Sequence, residues 1–278
     1  MPPPRNSKRP TGPGRGPRHG PRQGKGRPFD KPPISVFPTT LWTYPSQHYG
    51  ETEQGDKNYT GATPSWVIWQ LLSRYTRQGD RIVDPMCGSG TTIDVANDLA
   101  RTPHGFDINP TRDDIERADA RKLPLPNVWA DFVFIDPPYS THIDYSDEPD
   151  CIGKLDASEP DANGEIGGDY YRAMRATIKE AHRVLKDRRY MGLYVSDSFK
   201  KRKPNSDRPA FLPVGFELFA IMRQYFTPID IIAVVRGNEK LARGNWRKTA
   251  VEENFFLRGF NYCFIMKKVM NQEGARKR

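Results

Sequence analysis

The tetrapeptide Asp136-Pro137-Pro138-Tyr139 follows the apolar run Phe132-Val133-Phe134-Ile135. A carboxylate, a backbone carbonyl and a phenol ring on a proline-stiffened turn can grip a flat amino group. Such a group on a ring is a poor nucleophile, because its lone pair is delocalised into the ring. Two acceptors on its N–H bonds draw the nitrogen toward a tetrahedral form. Asp136 supplies one through its carboxylate and Pro137 the other through its carbonyl, and the restricted φ of proline holds the geometry. Tyr139 can stack on the ring. Positioning then does most of the work, with no covalent enzyme intermediate.

A second constellation lies upstream, Asp84-Pro85-Met86-Cys87-Gly88-Ser89-Gly90-Thr91-Thr92. Gly88 and Gly90 allow close backbone approach. The loop leads into a helix N-terminus, whose free N–H groups favour a carboxylate. No Lys stands where a P-loop requires one, and Thr92-Ile93 occupies the place of the third glycine in a nicotinamide fingerprint.

These residues need a scaffold. Arg81-Ile82-Val83 predicts a strand feeding the Gly-rich loop, and Thr91–Arg101 a helix. Gly105-Phe106 leads to Asp107, Ile115–Ala118 to Asp119, and Asp131–Ile135 to Asp136. Ser65 is expected to cap a helix carrying Trp66, Ile68, Trp69, Leu72 and Tyr75. Further helices are expected over 169–186 and 216–226, and strands over 190–195, 229–235 and 261–266. Strands alternating with helices imply an α/β fold, a mostly parallel seven-stranded sheet with helices on both faces. Ligands in such sheets sit beyond the carboxyl ends of the strands, where Asp84, Asp107, Asp119 and Asp136 all fall. Residues 108–114 leave little room for a parallel crossover. Either the helix there is missing or the strand at 115–118 is wrong.

Together the motifs resemble the DNA N6-adenine/N4-cytosine amino-methyltransferases, which use S-adenosylmethionine and a Rossmann-like class I fold. Phe106-Asp107-Ile108-Asn109-Pro110 is similar to their ribose-binding strand end, and Ala118-Asp119-Ala120-Arg121-Lys122-Leu123-Pro124 to their adenine-side motif. Tyr59-Thr60-Gly61-Ala62-Thr63-Pro64 resembles the segment that closes over the methionine end, and Tyr44–Gly50 a further stretch of the bacterial members. The resemblance spans roughly residues 38–268. It implies cofactor contacts from Tyr59, Thr60, Thr63, Asp84, Pro85, Met86, Cys87, Gly88, Ser89, Gly90, Thr91, Thr92, Asp107, Ile108, Asp119 and Ala120. It implies catalysis by Asp136, Pro137, Pro138 and Tyr139. Duplex substrates then require base flipping.

Asp at the first turn position leans toward adenine N6 in that family, where Ser leans toward cytosine N4. RNA methylation at guanine N2 or adenine N6 is the main alternative. Asn would be typical of protein glutamine methylases. Carbon-5 methylation needs a Cys after Pro, and Cys87, Cys151 and Cys263 all follow other residues. These cysteines have no metal-ligand spacing, so no metal is expected, and their small number suits a reducing, cytoplasmic setting.

Of the 43 Lys and Arg, nine lie in residues 1–33 beside one acid, Asp30. The net charge of +9 therefore belongs chiefly to a Pro/Gly/Arg-rich tail, expected to be disordered and suited either to solvation or to phosphate contact. The methyltransferase domain is expected over 34–268, with a basic tail at 269–278. Ser140–Gly168 is long and acidic, a lid or a solvated loop. Lys200, Lys201, Arg236, Lys240, Arg243, Trp246 and Arg247 combine bases with an aromatic and are the candidate DNA contacts, through phosphates and stacking. No apolar run suggests a membrane span. A cognate restriction nuclease is a conceivable partner.

Overall fold

The computed structural model describes residues 32–138, 148–199, 211–235, 244–252 and 254–270, with backbone only for 244–246. Its strands are β1 (Leu41–Trp42), β2 (Arg81–Asp84), β3 (Thr102–Asp107), β4 (Ile115–Arg117), β5 (Ala130–Ile135), β6 (Leu185–Val195), β7 (Ser198–Phe199), β8 (Phe211–Leu212), β9 (Thr227–Val235) and β10 (Phe260–Lys267). Its α-helices are α1 (Ser65–Tyr75), α2 (Thr91–Asp98), α3 (Gly168–Val184), α4 (Val214–Met222) and α5 (Gly244–Glu252). The main sheet runs β1-β9-β10-β6-β5-β2-β3-β4, while β7 and β8 form a separate antiparallel pair. Strands β2 to β6 pair in parallel, and β10 is antiparallel to both β6 and β9.

All seven expected strands are present. An eighth, β1, joins in parallel at the edge of β9. The helix expected to end at 186 stops at Val184, and β6 begins at once at Leu185 rather than at Tyr190. The helix after the Gly-rich loop ends at Asp98, short of Arg101. Ser65 is not a cap. It is the first residue of α1, behind Pro64, and its buried hydroxyl donates to Gln54 Oε1 at 2.7 Å. The chain segment before α1 captures this hydroxyl, so it is not free to cap.

Strand β5 is buried at every position because both sheet faces are covered. Phe132 and Phe134 pack with Trp66, Leu71 and Leu72 of α1. Val133 and Ile135 face Met174, Ile178 and Ala181 of α3. The period-2 alternation thus sends successive side chains into two different cores.

The short crossover is real. Strands β3 and β4 pair in parallel with no helix between them. Arg112 takes the helix's place as a staple, its Nη2 donating to Asp94 of α2 at 2.8 Å and its Nε to Asp114 at 2.9 Å. Charged forks of this kind fix a loop that has no apolar face to bury.

At the amino end of the sheet, buried Asp131 accepts from Lys186 Nζ at 2.7 Å and from the Arg81 backbone N–H at 3.1 Å, with Arg189 Nη2 also at 3.1 Å. Burial alone would raise its pKa. Lys186, the Arg81 N–H and Arg189 outweigh that and hold the carboxyl below its usual range. A lowered carboxyl pKa contributes stability above the unfolded value and loses it as pH falls through the folded value. Asp131→Ala is expected to lower unfolding free energy in urea by about 1–3 kcal/mol at pH 7, since the orphaned cations are part-exposed. The gap should close in acid, and an unchanged midpoint at pH 7 would show that the cluster contributes nothing.

Candidate active site

Three neighbouring strands end in acids. Asp84 closes β2, Asp107 closes β3, and Asp136 stands one residue past β5. Asp107 and Asp136 meet at an open hollow of about 580 Å³, lined by Tyr59, Pro85, Met86, Asp107, Ile108, Asp119, Ala120, Asp136 and Pro138 among others. A second hollow of about 410 Å³ is lined by Thr63, Asp84, Met86, Cys87, Gly88, Ser89, Thr91, Thr92 and Pro137, and shares Tyr59, Met86 and Asp136 with the first.

The carboxylates are unusual in their company. Asp84 accepts from Thr92 Oγ1 at 2.5 Å and from the Met86 N–H at 3.0 Å. Asp107 accepts from the N–H groups of Gly88 and Asn109, both at 2.9 Å. Asp136 accepts from the Thr63 hydroxyl. Among the described residues, none of the three carboxylates forms an ion pair. Burial therefore dominates. It pushes Asp136 up to about 8, with Asp84 adding to the rise and Thr63 opposing it. It pushes Asp84 up to about 7 against its two hydrogen bonds. Asp107 is raised by the same cause, and so is the Tyr59 phenol that faces Asp107 and Asp136.

The Gly-rich loop is built for close approach. Gly88 has φ +49°, and a Cβ there would come within 2.8 Å of the Tyr59 ring. Gly90, at φ +78°, lines neither hollow; it abuts the Arg112 guanidinium, at 2.5 Å from where its Cβ would stand. Ser89 and Thr91 share a hydrogen bond of 2.7 Å. Cys87 lines the second hollow and also packs with Ile93 and Ile115.

Other expected residues fall less simply. Thr60 is exposed and lines neither hollow. The Asp119 carboxylate is held by Arg121, with Nη2 at 2.7 Å. Tyr139 lies outside the described residues, as do Lys200, Lys201, Arg236, Lys240, Arg243 and the greater part of both tails. Trp246 is in α5 with its side chain outside the description, and Arg247 is exposed on the same helix. The acidic loop is structured from residue 148 to 168. Asp150, Cys151 and Ile152 wall the first hollow, and the Arg121 guanidinium donates to the Asp150 carbonyl at 3.1 Å. Cys151-Ile152, an apolar pair in an acidic stretch, was the signal available for that wall.

The family profile described as DNA methylase, the N6/N4 methyltransferases, matches residues 17–116 and 130–271. The chain belongs to this DNA methylase family. No curated protein matches it significantly. Among solved structures it is similar to TrmN from Thermus thermophilus, at 16% identity and TM-score 0.46, covering 76% of this chain and 50% of that one. The chain thus spans half the length of TrmN. It is also similar to a SAM-dependent methyltransferase from Methanosarcina mazei (16% identity, TM-score 0.45, 72% of this chain and 98% of that one). A TehB-like SAM-dependent methyltransferase from Corynebacterium glutamicum gives 11%, 0.40, 72% and 86%.

The fold is α/β, of the Rossmann-like class I methyltransferase type, and the methyl donor of this DNA methylase family is S-adenosylmethionine. The site fits that group by charge and by shape. Buried carboxylates with no cation partner among the described residues suit a ligand with an ammonium and a sulfonium. The glycine cradle under Tyr59 would be filled by a Cβ. Gly88→Ala is expected to weaken S-adenosylmethionine binding about tenfold or more by calorimetry, with only about 1 kcal/mol lost in stability. Undiminished affinity would remove the cradle from the cofactor site.

Proposed function

We propose that this DNA methylase transfers a methyl group from S-adenosylmethionine to the exocyclic amino group of a base in DNA, adenine N6 ahead of cytosine N4. The observation that carries the reading is Asp136, on the wall common to both hollows, a carboxylate with no cation partner among the described residues. Family membership supports the DNA substrate. Asp at the head of the turn supports adenine.

S-adenosylmethionine supplies an electrophilic methyl on a positively charged sulfur. Asp84, Asp107, Tyr59, Met86 and Ile108 would hold it, with Asp119 and Ala120 at the far wall. Asp136 accepts one N–H of the target amino group and the Pro137 carbonyl accepts the other. The nitrogen gains a methyl and gives up one proton in all. A carboxylate pushed up to about 8 is a competent acceptor for that proton near neutral pH. In a duplex the amino group is paired, so the base must leave the stack. Tyr139 is suited to stack on it there. Lys200, Lys201, Arg236, Lys240, Arg243, Trp246 and Arg247 would supply phosphate and stacking contacts.

The test is transfer of labelled methyl to native DNA, denatured DNA and total RNA, followed by digestion and mass identification of the nucleosides. N6-methyladenine in DNA, lost by about 100-fold or more in Asp136→Ala, is expected. N4-methylcytosine would change the base and keep the class. Label confined to RNA would refute the DNA reading. A carboxyl raised to about 8 must shed its proton to act as acceptor. Thus kcat/KM is expected to climb with pH and level off above about 8. A profile flat from pH 6 to 9 would count against Asp136 in this role.

A further inference from the structure

Resting on the catalytic reading of Asp136, we propose that Thr63 is its positioning residue: the threonine hydroxyl occupies Oδ2 and leaves Oδ1 to the target amino group. Thr63 belongs to the segment that, by resemblance, closes over the methionine end. Its hydroxyl has one proton, and that proton goes to Asp136 Oδ2. Toward anything in the second hollow, the hydroxyl therefore has only lone pairs to offer.

The donor is preorganised. Thr63 is buried. It precedes Pro64, which biases its backbone toward extended conformations, and its branched Cβ restricts χ1. Pro64 leads directly into α1, whose Trp66, Leu71 and Leu72 pack on Phe132 and Phe134 of β5. Donor and acceptor are thus anchored to the two sides of one core.

The groups facing Asp136 are Asp84 from β2, Tyr59 from the segment before α1 and Cys263 from β10. Each is neutral or anionic. Among the described residues the Thr63 hydroxyl is the group that favours the ionised carboxylate. Removing it raises the Asp136 titration and frees the carboxylate to rotate.

The experiment compares Thr63→Val, Thr63→Ser and wild type. In ligand-free protein, carbon-13 NMR of labelled aspartates follows the Asp136 carboxyl, assigned through Asp136→Asn. With labelled cofactor and DNA, kcat and KM are measured separately. Thr63→Val is expected to raise the NMR midpoint by about one pH unit. It should also lower kcat about tenfold and leave the KM for S-adenosylmethionine within about twofold. Thr63→Ser should restore both midpoint and kcat. If valine disturbs packing, Thr63→Ala carries the same expectation. An unchanged midpoint would overturn the proposal. So would a raised KM with kcat and midpoint intact, which would place Thr63 in the cofactor wall alone. If wild type methylates no DNA, the proposed function falls, while the ligand-free titration still decides the Thr63–Asp136 contact.

Discussion

Removing a carboxylate from water is costly unless a cation or hydrogen bonds compensate, and this chain meets that constraint differently at the two ends of one sheet. At the amino end, Asp131 is surrounded by Lys186, Arg189 and Arg81, and its carboxyl is stabilised in the charged form. At the carboxyl end, Asp84, Asp107 and Asp136 lie at the ends of adjacent strands with hydrogen bonds but, among the described residues, no ion pair. The first arrangement fastens β2, β5 and β6 together. The second leaves a net demand for positive charge at the place where parallel strands deliver their ends.

The rest of the site serves that demand. The double-sided burial of β5 fixes where Asp136 emerges. The Gly-rich loop keeps side chains out of the space beneath Tyr59, and its N–H groups hold Asp107 and Asp84 in place. The guanidinium groups of Arg112 and Arg121 are already taken by Asp94, Asp114 and Asp119. Charge that could have neutralised the cleft from within is thereby committed to its walls.

Much of this was legible in the residues. Apolar runs ending in acids marked β2 and β5, because a strand buried on both faces leaves a continuous hydrophobic trace. The glycines between Asp84 and the α2 helix marked the loop. What escaped had no periodic signal. Strand β1 is only Leu41–Trp42, held by pairing to β9, and β7 and β8 are equally short. The hydroxyl of Ser65 went to Gln54 and that of Thr63 to Asp136, both long-range choices that no local pattern encodes. The pairing of Asp119 with Arg121 was within reach, since the two stand two residues apart.

Burial holds Asp84 and Asp136 partly protonated near neutral pH until a cationic ligand arrives. Calorimetry of S-adenosylmethionine binding at pH 7, repeated in buffers of different ionisation enthalpy, counts the protons exchanged. With Asp84 near 7 and Asp136 near 8 in the free protein, a cation arriving among them should drive off about one proton, and Asp136→Asn should reduce that release. Binding with no net proton release would contradict the account.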